Sequence, residues 1–445
     1  ILKKIVYIFI FCMTKENYSC ASLHHSIYFS PNELRHCCKR FYVKGKIKGD
    51  VKIIPVNKTS DISVESIRKA KQKLHNQINN GIENECSGCP YLVKDNWPSL
   101  DNLSVKHISF ESHSVCNMKC SYCSETYYGG LKPNYDLEKI LKIFKKSNVI
   151  NKEISIVWGG GEPTLLNNFE KILTQYTNSL KPRTNHIFTN AVKYSNTIAD
   201  FLKNNMAKIT TSIDAGSIET FKKVRGVKTL NKVLYNLKKY YKHAGRGIIV
   251  KYILTDENYS MKELNLFLNK IKEYNLISCD FQISSDFKNE KLTKLQAINA
   301  LKLHSGLIDL GVKHCFFDDH LRPRLKNILS NMKHNNDVQF DELYKKINKN
   351  IKSNIIIWGA GDTTRQMLKN SLFFDKQNLK INFIVDSDPS KHGSNIDNLQ
   401  IKNPDEIKKY KSSVFIASTM FYSEIYDNLL LMKVPKNKIL SSLFF

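Results

Sequence analysis

Cys116-Asn-Met-Lys-Cys120-Ser-Tyr-Cys123 (CNMKCSYC) places three thiols on one short loop. The stretch just before it, VKHISFES (Val105–Ser112), carries Val105, Ile108 and Phe110 among polar residues and reads as a strand. The spacing is C-x3-C-x2-C. Three thiolates this close can hold three irons of a cubane cluster. The fourth iron then has no protein ligand, and an open position marks a metal centre that binds substrate or cofactor. Structural zinc needs four ligands, and the local sequence adds only His113 to the three cysteines.

Downstream of this loop, strand and helix patterns alternate. Helical spacing appears in YDLEKILKIFKKS (Tyr135–Ser147), NNFEKILTQYTNSL (Asn167–Leu180), TIADFLKNN (Thr197–Asn205), TLNKVLYNLKKYYKHA (Thr229–Ala244) and MKELNLFLNKIKEY (Met261–Tyr274). Between them stand the strands EISIVWGG, NHIFTNA, KITTSID, GIIVKYILT and CDFQISS. With the first strand this makes six, which predicts a parallel α/β sheet with right-handed crossovers. Six units fall short of the eight that close a full barrel, so a partial six-strand (β/α)6 barrel is expected. A second alternation starts at NIIIWGAGD (Asn354–Asp362) and predicts a small Rossmann-like parallel-sheet domain. The expected division is a Cys-rich module over 1–100, the barrel over 101–320, a helical linker over 321–350 and the Rossmann-like domain over 351–445.

This sequence resembles the radical SAM superfamily, with CNMKCSYC as the cluster motif, over roughly Val105 to Cys315. The resemblance implies a [4Fe–4S] cluster on Cys116, Cys120 and Cys123, S-adenosylmethionine (SAM) as second cofactor, and an electron donor of the flavodoxin or ferredoxin type. It also implies cofactor contacts. The turn WGGGEP supplies Gly159, Gly160, Gly161, Glu162 and Pro163 near the SAM amino group. Tyr122 matches the aromatic beside adenine, and Ser212 a polar contact to ribose or carboxylate. Arg225 matches the arginine that pairs with the SAM carboxylate, and Asn190 is a weaker match at the end of the third strand. Tyr252 either lines the barrel or belongs to the core.

Five more cysteines precede the barrel motif from Cys20 onward. Cys86 and Cys89 form CSGC, and SIYFSPNELRH reads as a hairpin with Pro31-Asn32 at its turn. That hairpin brings Cys20 and either Cys37 or Cys38 to one end. Cys37 is preferred, because adjacent strand residues face opposite sides. Cys20, Cys37, Cys86 and Cys89 then form a closed four-thiolate site for a second iron–sulfur cluster, with zinc as the lesser alternative. The pieces resemble SPASM and twitch auxiliary-cluster modules, although those follow the barrel and use a glycine-centred turn. Cys12, Cys279 and Cys315 read as core or loop thiols.

In the last domain, Gly359 and Gly361 match two glycines of the dinucleotide fingerprint, with Thr364 in place of the third. Asp386 ends the next strand, where a ribose-binding acid would stand. The stretch resembles small Rossmann domains of sugar C-methyltransferases and nucleotide-sugar acetyltransferases, which implies a nucleotide, a nucleotide sugar or a purely scaffolding role.

The balance of 68 Lys+Arg against 41 Asp+Glu gives +27, but only nine of the basic residues are Arg and the Lys are scattered. That pattern suits codon bias better than a phosphate-binding surface. Odd cysteine number and chain size argue against a secreted disulfide scaffold and for a cytoplasmic protein. No apolar run approaches the roughly 20 residues of a membrane helix. ILKKIVYIFIFC (residues 1–12) lacks a cleavage site and is expected to be over-extended translation ahead of Met13, with a short membrane-associating segment as the alternative. The functional expectation is radical SAM chemistry on a sugar or nucleotide-linked metabolite. Its alternatives are maturation of a peptide or protein, then RNA modification or nucleic-acid binding.

Overall fold

The computed structural model describes residues 16–124, 128–288, 290–334, 354–370, 380–418 and 421–440. Cys12, the leader-like residues 1–12, Met13 and the linker beyond 334 lie outside them. The fold class is mixed α/β with the large parallel sheet of a partial barrel, and the contacts divide the chain into two compact units.

The first unit comprises Ile1–Ser114, Leu131–Gly160 and Lys171–Asn185. The strands of its larger sheet run in the order Ile150–Trp158, Val105–Phe110, Ser26–Ser30, Glu33–Arg35, Lys52–Pro55. The hairpin expected at Pro31-Asn32 is present, with Phe29 opposite Leu34 and Ser30 opposite Glu33. Its first strand pairs in parallel with Val105–Phe110, a long-range pairing that no local pattern announces. Aromatic rings glue this sheet: Phe110 lies 5.0 Å from Phe29, 4.8 Å from Trp158 and 5.0 Å from Tyr176. The helix Val64–Asn79 is capped by Ser63, whose hydroxyl accepts from the Ser66 amide. It turns Ile67, Lys71 and Leu74 inward.

The second unit comprises Val115–Gly130, Gly161–Glu170 and His186–Phe445. Parallel strands run in the order Thr184–Phe188, Lys208–Ser212, Ile248–Leu254, Asp280–Ser285, Cys315–Phe317. The last of these is not predicted: three residues are too few to show a period, and Cys315 is its buried first residue. The helix Lys294–Asp309 is also missed. It buries residues on most of its circumference, so its sequence carries little amphipathic contrast. The expected polar helix after 320 is Leu321–His334.

The C-terminal sheet runs Leu399–Lys402, Lys380–Val385, Asn354–Trp358, Ser413–Ile416, Ile439–Leu440, all parallel, with Asn395–Ile396 antiparallel at one edge. This is the doubly-wound order expected of a Rossmann-like domain. The connection before Ser413–Ile416 forms a 3-10 turn over Pro404–Lys409.

Candidate functional site

The cysteine loop is held by the end of the helix Ile218–Arg225. The Ser121 amide donates to the Val224 carbonyl at 2.8 Å. Gly226 closes the helix at φ +79°, and a Cβ there would stand 2.9 Å from the Lys119 carbonyl oxygen. Glycine therefore serves both the left-handed cap and the close approach. Cys120 is buried, while Cys116 and Cys123 are half-buried. The Cys123 thiol donates toward Cys120, and with Arg225 it draws the Cys120 thiol down to about 7. Burial pushes the Cys116 thiol up.

One buried triad braces this loop from beneath. The Tyr122 hydroxyl donates to Asp214 Oδ2 at 2.7 Å, and Arg225 lies 3.2 Å from the same oxygen while also contacting the Tyr122 hydroxyl. Asp214 Oδ1 accepts from the Ile253 amide at 2.6 Å. Arg225, which matches the SAM-carboxylate arginine, thus already has a carboxylate partner in its own chain. Its Nε is buried without a hydrogen-bond partner among the described residues. Asp214 was not singled out from the sequence. The only signal is its place just past the strand Lys208–Ser212, in a left-handed conformation at φ +58°.

The glycine turn divides into two roles. Gly160 takes φ +91°, and a Cβ there would meet the His113 carbonyl oxygen at 2.6 Å, so this position is closed to side chains. Gly159 donates its amide to Phe110 at 2.8 Å. Gly161 leads into Glu162, whose amide donates to Val115 at 2.8 Å, and Pro163 opens a 3-10 turn. The Glu162 carboxylate is fully engaged by its own chain. It accepts from the Thr164 amide (3.2 Å), the hydroxyls of Thr164 (2.6 Å) and Thr189 (2.8 Å), and the Asn190 amide (2.6 Å). Burial nevertheless pushes this carboxyl above its ordinary value. Asn190 so positioned donates to Asn117 Oδ1 at 2.6 Å and stands 3.9 Å from Cys116 Sγ.

Ser212 is half-buried and in register with Lys251, which is in register with Gln282. Paired residues share a face of the sheet, so the three form a polar row. Asp318 extends it, 3.7 Å from Lys251 and 3.3 Å from Gln282. Lys251, Gln282 and Asp318 were not anticipated as a group, because strand pairing joins residues far apart in sequence. Tyr252 is core: it packs 4.7 Å from Phe267 and donates to the Asn258 carbonyl.

In the first unit, Cys20, Cys37, Cys86 and Cys89 fall in one cluster with Leu23, Val51 and Leu74. Backbone amides point at three of the sulfurs: Leu23 at Cys20 (3.4 Å), Val51 and Lys39 at Cys37, and Tyr91 at Cys89. His36 Nε2 stands 4.0 Å from Cys86 Sγ. Such donors favour thiolate and are what a metal-bound sulfur uses. Burial pushes all four thiols up, Cys89 to about 11, so loading must release protons. Cys38 is set apart, exposed and bonded through its sulfur to Tyr28. Among the described residues, no three Cys, His, Asp or Glu side chains converge tightly enough to grip a single metal ion.

In the C-terminal domain, Gly359 takes φ +120°, whereas Gly361 has no neighbour within 4 Å of a Cβ position. Asp386 is occupied by its own chain. Its carboxylate accepts from the Ala360 amide (2.6 Å), Lys391 Nζ (3.0 Å) and the Asp388 amide (2.9 Å). It ties the glycine turn to the following loop, a scaffolding use of the residue expected to bind ribose.

Residues 110–268 match the radical SAM superfamily model, and residues 351–440 match the C2185-like N-terminal domain. Among curated proteins, GTP 3′,8-cyclase of Clostridium botulinum (strain Hall) is 24% identical over 202 residues, which are 43% of this chain and 62% of the relative. GTP 3′,8-cyclase of Haemophilus influenzae (strain Rd) is 26% identical over 161 residues, 36% of this chain and 47% of the relative. The chain thus spans between about half and three fifths of these relatives. Among solved structures, native anSMEcpe with bound AdoMet and Cp18Cys peptide has a TM-score of 0.37 and 24% identity, covering 46% of this chain and 58% of that one. Streptococcus suis SuiB bound to precursor peptide SuiA has a TM-score of 0.39 and 14% identity, covering 62% and 68%. Residues 110–268 are a radical SAM enzyme domain, of the class that binds SAM and a [4Fe–4S] cluster.

Proposed function

We propose that this protein cleaves S-adenosylmethionine reductively and uses the product to take hydrogen from a peptide or protein substrate. The observation that carries the first half is the open-site cysteine loop, lying inside the matched residues and braced by Asp214 and Arg225. Cys116, Cys120 and Cys123 are the residues that fit a [4Fe–4S] cluster. A cluster held there would supply the one-electron reduction on which SAM cleavage depends. The chain's own part is to bind, orient and shelter. Gly160 lets backbone close in at the turn, Arg225 offers its unpartnered Nε to an anionic group, and Asn190 adjusts the surroundings of Cys116. A low-potential donor of the flavodoxin or ferredoxin type would supply electrons.

The peptide reading is preferred to a sugar or nucleotide-linked metabolite for two reasons. The latter rests on the Rossmann-like tail, where the carboxylate in the place of a ribose-binding acid, Asp386, is engaged with Ala360, Lys391 and Asp388. The gathering of Cys20, Cys37, Cys86 and Cys89 suits an auxiliary cluster, and the modules it resembles accompany peptide substrates. The test of the chemistry is anaerobic reconstitution with iron and sulfide, then dithionite and SAM. 5′-Deoxyadenosine is expected, and Cys120→Ala should abolish it.

A further inference from the structure

Lys71 is buried with no exposed surface, on the inner face of the helix Val64–Asn79. Its Nζ donates to the carbonyls of Leu23 at 2.6 Å, Ser26 at 2.8 Å and Ser22 at 3.5 Å. Three acceptors match the three N–H donors of an ammonium, and burial lowers this group from 10.5 to about 7. No carboxylate is paired with it among the described residues. The sulfurs in its electrostatic reach are those of Cys20 and Cys37, which would be its counter-charge once deprotonated on a metal. Cys20 caps the short helix Ala21–His25 at one end, and Lys71 takes the carbonyls at the other. A buried charge without a counter-charge is costly. The uncompensated cation therefore calls for an anion beside it, and four thiolates around a metal cluster carry one.

We propose that Lys71 is the built-in counter-charge of the four-cysteine site, a positioning residue that raises the reduction potential of a cluster held by Cys20, Cys37, Cys86 and Cys89. This rests on the reading of that site as an iron–sulfur centre. Four thiolates on a [4Fe–4S]2+ core leave a net charge of about −2, and one-electron reduction adds a further negative charge. A fixed cation within the same low-dielectric pocket stabilises the reduced state more than the oxidised one.

The test uses the full chain with Cys116, Cys120 and Cys123 all changed to Ala, so that only the four-cysteine site can hold a cluster. After reconstitution with iron and sulfide, a dithionite-poised EPR titration reads its midpoint. Lys71→Met and Lys71→Gln should move the midpoint to more negative potential, and Lys71→Arg should leave it near the parent value. Gln still donates to the Leu23 and Ser26 carbonyls, so a residue that merely braces this turn would leave Lys71→Gln unshifted; that result overturns the proposal. If Lys71→Met does not fold, Gln against Arg carries the comparison. Loss of the cluster in Met and Gln but not in Arg supports the counter-charge, and loss in all three overturns it. Zinc or no metal in the triple-Ala parent also overturns it, while leaving SAM cleavage by the intact chain as a separate result.

Discussion

The hydroxyl of Tyr122 and the carboxylate of Asp214 meet at 2.7 Å beneath the cysteine loop, although 92 residues separate them. Through this contact one buried acid links the loop, the helix end bearing Arg225 and the strand amide of Ile253. The loop's shape thus depends on Asp214, which lies outside the cysteine motif.

Asp214→Asn should weaken the cofactor site without removing any cysteine. Losing charge-assisted hydrogen bonds costs about 1.5–3 kcal/mol. The expected result is a lower melting temperature, SAM binding weaker by roughly 10- to 100-fold on the same energy scale, and iron content near the parent. Isothermal titration with SAM on iron-loaded protein checks this; unchanged affinity and stability would remove Asp214 from the account.

Gly160→Ala should disturb the turn. The left-handed φ costs about 1–2 kcal/mol for a residue with a Cβ, and the clash with the His113 carbonyl adds to it. Thermal melting should show the loss, and Gly361→Ala, which meets nothing within 4 Å, is the control expected to stay near the parent.

His304 gives a pH-dependent signature. It is 2% exposed, and burial lowers it from 6.5 to about 4. The unfolded chain therefore binds more protons between these values, so this residue's contribution is present above 6.5 and is lost as pH falls towards 4. Buried carboxyls such as Glu162 and Asp214, held above their ordinary values, act in the opposite sense. The difference between parent and variant isolates the histidine: Glu162 and Asp214 are common to both. Denaturant titrations from pH 7 to 4 should show the parent losing stability more steeply than His304→Gln. Equal slopes would contradict it.

Cys86→Ala tests the second metal site directly. Reconstituted parent should hold about eight irons per chain and the variant about four. Cys38→Ala, at the exposed neighbour of Cys37, should leave the count at about eight. Four in the parent would mean that only the barrel loop carries a cluster.

Much of the frame is legible because it is local. The barrel strands from Val105 to Ser285 and the turn at Pro31-Asn32 follow from period-two or helical spacing and from turn residues. What escapes is whatever pairing across the fold decides. The parallel docking of Ser26–Ser30 on Val105–Phe110 needs a contact some eighty residues away. Glu162 and Asp386 have the right identity and place for ligands, yet backbone amides that no sequence pattern displays take up their oxygens. Lys71 reads as one of many scattered lysines until burial sets it apart.

The most direct test of the central claim is product analysis on anaerobically reconstituted protein given dithionite and SAM. 5′-Deoxyadenosine and methionine in equal amounts from the parent, with none from Cys116→Ala, Cys120→Ala or Cys123→Ala, is the predicted result. Absence of 5′-deoxyadenosine from fully iron-loaded parent, or its persistence in any of the three variants, would contradict the assignment of the loop.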